Sequence, residues 1–558
     1  MPLDALVSGR IATFAGDSGF GFVEAVGIKD GVVAFAGSAV DLESRADPFT
    51  ARFDLEPGEI AIPGLIDAHL HLIDAALEAE RVDLTSAQTI EAALAAIGAY
   101  AGTLEPDAWL EGAGWDQRRF GRWPTAADLD SIAPGRPVAL WSFDHHALWV
   151  SGAALAVAGI GAGTPDPDGG IIQRAEGGEP TGILLENATR LVNRIIPAAS
   201  EATVERAIGA MGRSLLELGV VGVHDPGFLI PDAGLRMMTM LGRLADRGTL
   251  PIRVHAGIRT DALDRALELG LRSGDRLGEA GAAGAAARRG SPAAGRDRAR
   301  VGWLKLFADG TLGSRTAALL DPVGGPPPDP GAGSHGVFTT PPERLTELAA
   351  RAAAGGIATQ IHAIGDAAVR ASLDALTPTA ATVPLMPRLE HVQLCHPNDR
   401  PRFANAGIAA SVQPVHLRED AATARRDWGD RAEAWGYTWR SLLEAGAVLA
   451  FGTDAPVEPI DPWPGIAMAV LRRWPGWPAE ESAFGPDEAL TLEQALRAAS
   501  IGPAAAARDG LRGRLVPGAP ADLIVLPAAP REPDAQAAAF AQVRPRLVIV
   551  DGEAVIER

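Results

Sequence analysis

The chain of 558 residues contains a single cysteine, Cys395, and this scarcity excludes an internal disulfide framework. The N-terminal segment has an acidic residue at Asp4, no basic region and no long apolar core, so it does not resemble a signal peptide. No stretch approaches the ~20 uninterrupted apolar residues that a transmembrane helix needs. These absences lead us to expect a cytoplasmic protein with no membrane partner.

Basic residues are also in deficit, because 50 lysines and arginines face 70 aspartates and glutamates, for a formal net charge of −20. A nucleic-acid-binding protein would instead present a basic face, so we expect a small-molecule substrate and no nucleic acid partner. The negative charge favours solubility but does not identify that substrate. The apolar content of 47% is sufficient for a large buried core.

An apolar run from Ile60 to Ile66 predicts a short buried strand, and a His-x-His pair follows it. In an extended strand residues i and i+2 point to the same side, so His69 and His71 would aim their imidazoles at one point. Two converging neutral imidazoles are good ligands for Zn²⁺ or a similar divalent metal. Two surface histidines in a turn are the alternative for an isolated motif, so the rest of the chain must decide.

From about residue 200 helical patterns alternate with short apolar strands, which predicts a parallel sheet. Counting from Ile60, eight strands alternate with helices, so residues 60–504 are predicted to form a (β/α)8 TIM barrel. The predicted strands are Ile60–Ile66, Val220–His224, Ile252–His255, Val301–Phe307, Ile357–His362, Arg388–Val392, Ile408–Gln413 and Val448–Asp454. Enzymes with this α/β fold carry their chemistry at the carboxyl ends of the barrel strands.

Both chain ends carry short β-type runs separated by Gly and Asp turns, so residues 1–59 and 505–558 are predicted to pair as one composite β-sandwich. Residues 76–200 contain a helical pattern at Ser86–Ala101, an irregular region rich in tryptophan and a strand-like run at Pro137–Ser142, and we expect them to form a large insertion over the barrel mouth. Trp115 of this insertion is a candidate for contacting an apolar part of the substrate, with packing against the barrel as an equal alternative. The Ala/Gly/Arg-rich segment 278–300 is predicted to be a flexible surface loop.

Polar candidates lie at the ends of five predicted barrel strands, where side chains converge on one mouth. Four of the eleven histidines are among them, and chance placement of the whole set is much harder than chance placement of one. The set comprises His69 and His71 on the first strand, Lys305 on the fourth, His362 on the fifth, His391 on the sixth and Asp454 on the eighth.

The segments that hold these residues resemble the amidohydrolase superfamily of metal-dependent hydrolases, in its YtcJ-like branch, amidohydrolase family 3, which includes N-substituted formamide deformylase. The resemblance runs nearly end to end and departs mainly at segment 278–300. The matching segments are Pro63–His71, Gly114–Gln117, Asp144–Val150, Pro165–Gly170, Gly178–Leu184, Lys305–Ala317, Ile361–Asp366, Arg388–His391, Phe451–Pro456 and Pro517–Leu526.

The resemblance implies a role for each matching residue. His69 and His71 would bind the more buried metal, and His362 and His391 would bind a second one. Lys305 would be carboxylated on its amine, and the resulting carbamate would bridge the two metals. The implied cofactor is therefore a divalent metal such as Zn²⁺, with one or two ions per chain.

Asp454 would touch the metal centre and act as the general acid/base, taking a proton from water and passing it to the leaving nitrogen. The implied reaction is hydrolysis of a carbon–nitrogen bond in an amide, an N-substituted formamide or a cyclic amide, with water activated by the metal. Ester hydrolysis at the same site and a non-catalytic binding or regulatory barrel are the alternatives. A homodimer is a further expectation from the family.

Several of these residues have structural alternatives. Lys305 could form an ion pair with Asp309, which would favour a single metal, and Asp454 could cap a helix. His146 resembles a family histidine and is a candidate substrate-binding residue, although a hydrogen-bonded core histidine is equally plausible. Asp309 and Arg315, in the loop beside the site, are further substrate-binding candidates, and they could instead pair with each other.

Overall fold

The computed structural model describes residues 2–105, 108–142, 147–227, 235–278, 297–323, 335–478, 480–528 and 542–558. The chain divides into two units, of which the first combines Met1–Ala75 with Gly209–Arg558. The second unit is Ala76–Ile208. In the described ranges no helix has the length and apolar character needed to span a membrane.

The first unit contains eight parallel strands whose order in the sheet follows their order in the chain. They are Leu65–Asp67, Val220–Asp225, Arg253–Arg259, Ala299–Phe307, Thr359–Ala363, Arg388–His391, Ala409–Val412 and Leu449–Phe451. The backbone N–H of Ala68, just past the first strand, donates to the carbonyl of Phe451 at the end of the eighth at 2.8 Å and nearly closes the barrel. The predicted (β/α)8 TIM barrel is thereby confirmed.

Helices alternate with the barrel strands, as the sequence predicts. The helices that begin before residue 76 or after residue 200 are Ala39–Glu43, Leu72–Ala79, Glu201–Glu217, Leu235–Asp246, Leu263–Glu268, Pro342–Ala354, Asp366–Leu376, Arg400–Ala406, Leu417–Trp428, Arg431–Trp435, Trp439–Glu444, Trp463–Leu471, Leu492–Ala498 and Ile501–Ala506.

The apolar run predicted as one strand from Ile60 to Ile66 is in fact two strands of different sheets. Ile60–Pro63 pairs antiparallel with Leu523–Leu526, whereas Leu65–Asp67 opens the barrel. Gly64 separates them, and a Cβ there would lie 2.7 Å from both γ-methyl groups of Val221. Only glycine permits this approach to the second barrel strand. The single-strand prediction is wrong because both strands are buried and read as one apolar run.

The two chain ends form one eight-stranded sheet, in which the pairing of Ile62 with Ile524 joins the N-terminal and C-terminal segments. Its apolar side chains, among them Val7, Val26 and Ile549, are fully buried. The strands are Ala5–Ala12, Phe22–Lys29, Val32–Gly37, Ala51–Asp54, Ile60–Pro63, Leu523–Leu526, Leu547–Val550 and Glu553–Glu557.

The second unit has its own six-stranded sheet, of which the sequence predicts only the strand at Pro137–Ser142. Its strands have only two to seven residues, which is too short for a clear alternation of apolar and polar residues. In sheet order they are Gly170–Arg174, Pro180–Glu186, Ala147–Val150, Val138–Ser142, Leu110–Trp115 and Val82–Asp83. Its helices are Ile90–Ala101, Gln117–Phe120, Ala126–Ile132, Gly152–Ala158 and Arg190–Asn193.

The predicted flexible loop at residues 278–300 lies largely outside the described residues, which stop at residue 278 and resume at residue 297. The fourth barrel strand already begins at Ala299, so the loop prediction extends two residues too far. Arg298 and Arg300 account for this error, because two arginines at the start of the strand hide its apolar pattern.

Candidate metal centre

Three histidines and one carboxylate converge past the carboxyl ends of the barrel strands. The Nε2 atoms of His69 and His71 lie 3.4 and 3.7 Å from Oδ1 of Asp454. On the other side of the carboxylate, Nδ1 of His391 lies 4.0 Å from Oδ2. The ligand atoms of His69, His391 and Asp454 all fall within 4.8 Å of one another. This spacing is short enough for one metal ion to be shared among them.

The other two predicted ligands adjoin this group. The ring centroid of His362 lies 4.4 Å from that of His391. Nζ of Lys305 lies 3.4 Å from Nε2 of His69. All the residues predicted as metal ligands from the sequence are therefore brought together, and all are buried.

The alternating geometry of strands explains how three neighbouring strands supply the site. Inward-facing residues recur at every second position, so each strand contributes one residue to a lower layer and one to an upper layer. In the register of these strands, Lys305 pairs with Gln360 and Gln360 with Arg388 in the lower layer. Phe307 pairs with His362 and His362 with Glu390 in the upper layer.

Backbone conformation changes this alternation at the sixth strand. Consecutive residues of a regular strand face opposite ways, so Glu390 and His391 could not both reach the centre. His391 has a φ of 73°, in the left-handed region, which turns its side chain back toward Asp454. Asp454 itself has a φ of 65°, and its N–H donates to the carbonyl of His69 at 2.6 Å. Such strained residues concentrate at functional sites.

Glu390 is a site residue that the sequence did not reveal. Its Oε2 lies 2.6 Å from Nδ1 of His69, and its Oε1 lies 2.7 Å from Nε of Arg388. Burial opposes ionisation, but Arg388 and His69 lower the pKa of Glu390 to about 2. The carboxylate therefore accepts the Nδ1 proton of His69 and leaves Nε2 free to bind a metal. A carboxylate inside an apolar strand is the signal that could have identified it.

The remaining imidazoles are also prepared for metal binding. His71 donates from Nδ1 to the carbonyl of Gly227 at 3.0 Å, which leaves its Nε2 toward Asp454. Burial lowers the pKa of His71 to about 3 and that of His362 to about 4, so both are neutral near pH 7. In the described structure Nδ1 of His391 is buried without a hydrogen-bond partner. An orphaned nitrogen facing a carboxylate fits a metal ligand.

His416 is a second residue of the centre that the sequence reading left aside. Its Nε2 lies 3.3 Å from Oδ2 of Asp454, and its Nδ1 lies 3.2 Å from Oε1 of Glu458. Although burial lowers it, hydrogen bonds to these two carboxylates raise the pKa of His416 to about 10. His416 therefore donates to both carboxylates at neutral pH. It follows the seventh barrel strand closely, so the strand-end rule could have identified it.

Asp454 does not cap a helix, since the next helix starts at Trp463. Burial alone would raise its pKa, but His69 and the hydrogen-bonded His416 hold the pKa of Asp454 well below its ordinary value. The side chain is therefore an ionised carboxylate at the centre of a ring of histidines.

Lys305 has only 1% of its surface exposed. Its Nζ lies 4.9 Å from the ring centroid of Phe307, and burial lowers its pKa to about 8 although Glu390 and Asp454 oppose the shift. The sequence contains only one other lysine, Lys29. A lysine in this position thus has an unusual share of its neutral amine form near pH 7.

Asp309 joins the loop after the fourth strand to the fifth strand. Its Oδ1 lies 3.7 Å from Nε2 of His362, so it borders the predicted ligands. Both of its oxygens already accept backbone N–H groups at 2.9 to 3.0 Å, which are those of Ala318, Ile364 and Gly365. The structure thus shows an anchoring role for Asp309, and its substrate-binding role stays a prediction.

The other predicted substrate contacts have different environments. Arg315 forms a bidentate ion pair with Asp427, at 2.9 Å from Nε and 2.7 Å from Nη2. Trp115 is fully buried in the core of the second unit, where its indole N–H donates to the carbonyl of Leu140 at 2.7 Å. Trp115 thus packs within its own unit rather than against the barrel, and its substrate contact stays a prediction. His146 lies outside the described residues.

The arrangement matches a known family. The amidohydrolase family profile matches residues 53–556. YtcJ of Bacillus subtilis (strain 168) is 30% identical over 539 residues, with 96% of each chain covered. N-substituted formamide deformylase of Arthrobacter pascens is 28% identical over 541 residues, with 90% of each chain covered. The chain belongs to the amidohydrolase family.

A solved structure supports the same fold. The crystal structure of an uncharacterized metal-dependent hydrolase from Pyrococcus horikoshii OT3 matches with a TM-score of 0.74 and 28% sequence identity. The match covers 94% of this chain and 97% of the other. The family resemblance seen in the sequence motifs is therefore confirmed over nearly the whole chain.

Proposed function

We propose that this chain is a metal-dependent hydrolase that cleaves a carbon–nitrogen bond in an amide, an N-substituted formamide or a cyclic amide. The observation that carries the proposal is the convergence of buried imidazoles on the ionised carboxylate of Asp454, in a barrel of the amidohydrolase family. One relative, the deformylase of Arthrobacter pascens, is named for an activity of this class.

The residues that would hold the metal are His69, His71, His362, His391 and Asp454, since imidazole and carboxylate donors suit Zn²⁺. When bound, the metal supplies the Lewis acidity that activates water and polarises the scissile carbonyl. One or two ions per chain are compatible with this donor set.

Asp454 acts first as a general base and then as a general acid. Its ionised carboxylate accepts a proton from the attacking water and delivers it to the leaving nitrogen. His416 holds Oδ2 of this carboxylate by a hydrogen bond, while Glu390 fixes the orientation of His69. The reacting carboxylate is therefore positioned before substrate binds, which lowers the cost of reaching the transition state.

Lys305 is carboxylated in this proposal. Its neutral amine attacks carbon dioxide, the new N–C bond forms a carbamate, and one proton leaves to solvent. The reaction needs the free amine, which burial favours by lowering the pKa of Lys305 to about 8. The carbamate is an anion and can serve as a metal ligand, whereas a protonated lysine in the same place would repel the metal.

The test of this function is hydrolysis by zinc-loaded protein of a panel of formamides, N-acyl amino acids, lactams and matched esters. We expect turnover of at least one amide class, release of the amine, and loss of activity after chelation. The variant His396→Gln, outside the site, serves as the control and should keep full activity. Ester turnover alone would favour the esterase alternative, and no turnover of any substrate would contradict the proposal.

A further inference from the structure

Arg259 is the last residue of the third barrel strand and lies beside the metal centre. It pairs in register with Lys305 on the fourth strand. Its Cζ lies 5.2 Å from the ring centroid of Phe307. The same ring has Nζ of Lys305 at 4.9 Å and the ring of His362 at 5.4 Å from its centroid. Phe307 is therefore a common neighbour of the guanidinium and of two predicted ligands.

A second contact places Arg259 against the support of His71. A Cβ at Gly227 would lie 3.2 Å from both Cγ and Cδ of Arg259, so the arginine carbons pack directly on that glycine. The carbonyl of Gly227 is the group that accepts Nδ1–H of His71. The side chain is thus held at the mouth by packing of its carbons rather than by its charged end.

One nitrogen of the charged end lacks a partner. Nη1 of Arg259 is buried without a hydrogen-bond partner, and among the described residues no ion pair forms with its guanidinium. Arg315, beyond the fourth strand, shows the contrast, because its guanidinium is bidentate with Asp427. A buried N–H donor without an acceptor is costly. An unpaired donor of a cation beside the metal centre indicates an acceptor that arrives with the ligand.

The charges near Arg259 are the carboxylates of Asp74, Asp225 and Asp261 and the amine of Lys305. The carboxylates favour the protonated guanidinium, although burial lowers its pKa. Asp225 uses Oδ1 to accept the N–H of Gly227 at 2.8 Å, and burial raises its pKa to about 7. A counter-ion role toward these carboxylates is therefore the competing explanation for Arg259.

We propose that Arg259 is a specificity-determining residue that binds an anionic group of the amide substrate, with a carboxylate as the best fit. The inference rests on the proposed hydrolysis at the adjacent centre. A planar guanidinium suits a carboxylate in bidentate geometry. Because Phe307 contacts both the guanidinium and the centre, the carboxylate would lie only a few bonds from the scissile amide. The substrate class is that of small N-acyl amino acids and related carboxylated amides.

The first experiment compares charged and neutral substrates of the same shape. Wild-type protein should hydrolyse N-formyl or N-acetyl amino acids with a kcat/KM at least about tenfold above that of their methylamides. The variant Arg259→Met should lose this preference mainly through KM, and Arg259→Lys should keep part of it. Arg440→Met, an exposed arginine paired with Glu444 at 2.8 Å, is the matched control and should change nothing.

A binding measurement separates this inference from the proposed function. N-acetylglycine and its methylamide are titrated calorimetrically into zinc-loaded wild-type, Arg259→Met and Arg259→Lys protein. Selective binding of N-acetylglycine that Arg259→Met weakens about tenfold would support the site even if no amide is turned over. Equal binding of both compounds by wild-type protein would overturn it. A variant that melts earlier but keeps the preference would assign Arg259 to the counter-ion role instead.

Discussion

Two groups of histidines lie in the same barrel and differ in the charges around them. The mouth group of His69, His71, His362, His391 and His416 surrounds the carboxylate of Asp454, with Glu390 and Glu458 behind it. The interior group consists of His224 and His255, whose ring centroids lie 4.8 Å apart beside Trp303. Within the described residues only the mouth group brings three potential ligand atoms together.

The interior pair shows why imidazoles alone do not make a metal site. Nδ1 of His224 lies 2.8 Å from Nη1 of Arg388, so that ring nitrogen is already used as an acceptor. Burial, His255 and nearby arginines hold the pKa of His224 well below its usual value. A cation would meet positive charge here, whereas at the mouth it would meet carboxylates. Neighbouring charge, rather than the number of histidines, separates a metal centre from a packed core.

The largest expected effect is on catalysis at the mouth. Asp454→Asn removes the general base, and kcat should fall by about a thousandfold, in the range usual for such groups. His224→Asn in the interior should lower the melting temperature and leave kcat within about threefold of wild type in the folded fraction, because it touches no reacting atom. Steady-state kinetics and melting curves of both variants check this. A larger loss of kcat in His224→Asn than in Asp454→Asn would break the comparison.

The next effect is on stability and concerns Arg388, which contacts both His224 of the interior group and Glu390 behind the mouth group. Arg388→Met leaves the buried carboxylate of Glu390 without its ion-pair partner at 2.7 Å, which should cost about 3–5 kcal/mol of unfolding free energy. The double variant Arg388→Met/Glu390→Leu removes both charges and should recover part of that loss. Denaturant unfolding measures both. No recovery would mean that the charge pair is not the source of the instability.

A smaller effect is expected on metal affinity. Glu390→Gln keeps the shape but removes the charge that orients His69, so zinc affinity should weaken by about 10- to 100-fold. Cobalt substitution provides a second readout, because its absorption spectrum reports ligand geometry. Glu444→Gln, on an exposed helix, is the control. Unchanged affinity and spectrum in Glu390→Gln would show that the carboxylate has only a packing role.

The smallest effect is a pair of opposite pH dependences in metal-free protein. The pKa of His416 is raised to about 10, so its stabilisation is present below pH 6.5 and is lost as the pH rises toward 10. The pKa of His224 is lowered, so the unfolded state alone gains a proton below pH 6.5 and stability is lost as the pH falls. The melting temperature of His416→Gln should approach that of wild type as the pH rises toward 10. The melting temperature of His224→Asn should rise relative to that of wild type as the pH falls below 6.5. Parallel curves would contradict this assignment.

The barrel and most of the centre follow from local sequence patterns. Eight apolar runs alternate with helices, and the ligands lie at the ends of five of those runs, so His69, Lys305 and Asp454 are visible as a set. Their position depends only on where each strand ends. Local pattern is sufficient for this part of the molecule.

The features that were missed depend on contacts distant in the chain. Gly64 divides the first apolar run because Val221, on another strand, approaches it. Glu390 becomes a site residue through its contact with His69, which lies just past the first barrel strand. The surroundings of Arg259 are formed by Phe307 on the fourth strand and by Gly227 after the second. No single stretch of sequence contains these relations.

The most direct measurement is zinc content per chain for three proteins purified without chelator in bicarbonate buffer. Wild type should hold about two equivalents with a carboxylated Lys305, or about one with an ordinary lysine. His224→Asn/His255→Asn should hold as much as wild type, and His69→Asn/His71→Asn should hold less. Wild-type protein that takes up no zinc, or interior variants that lose as much as the mouth variants, would contradict a metal centre at the mouth.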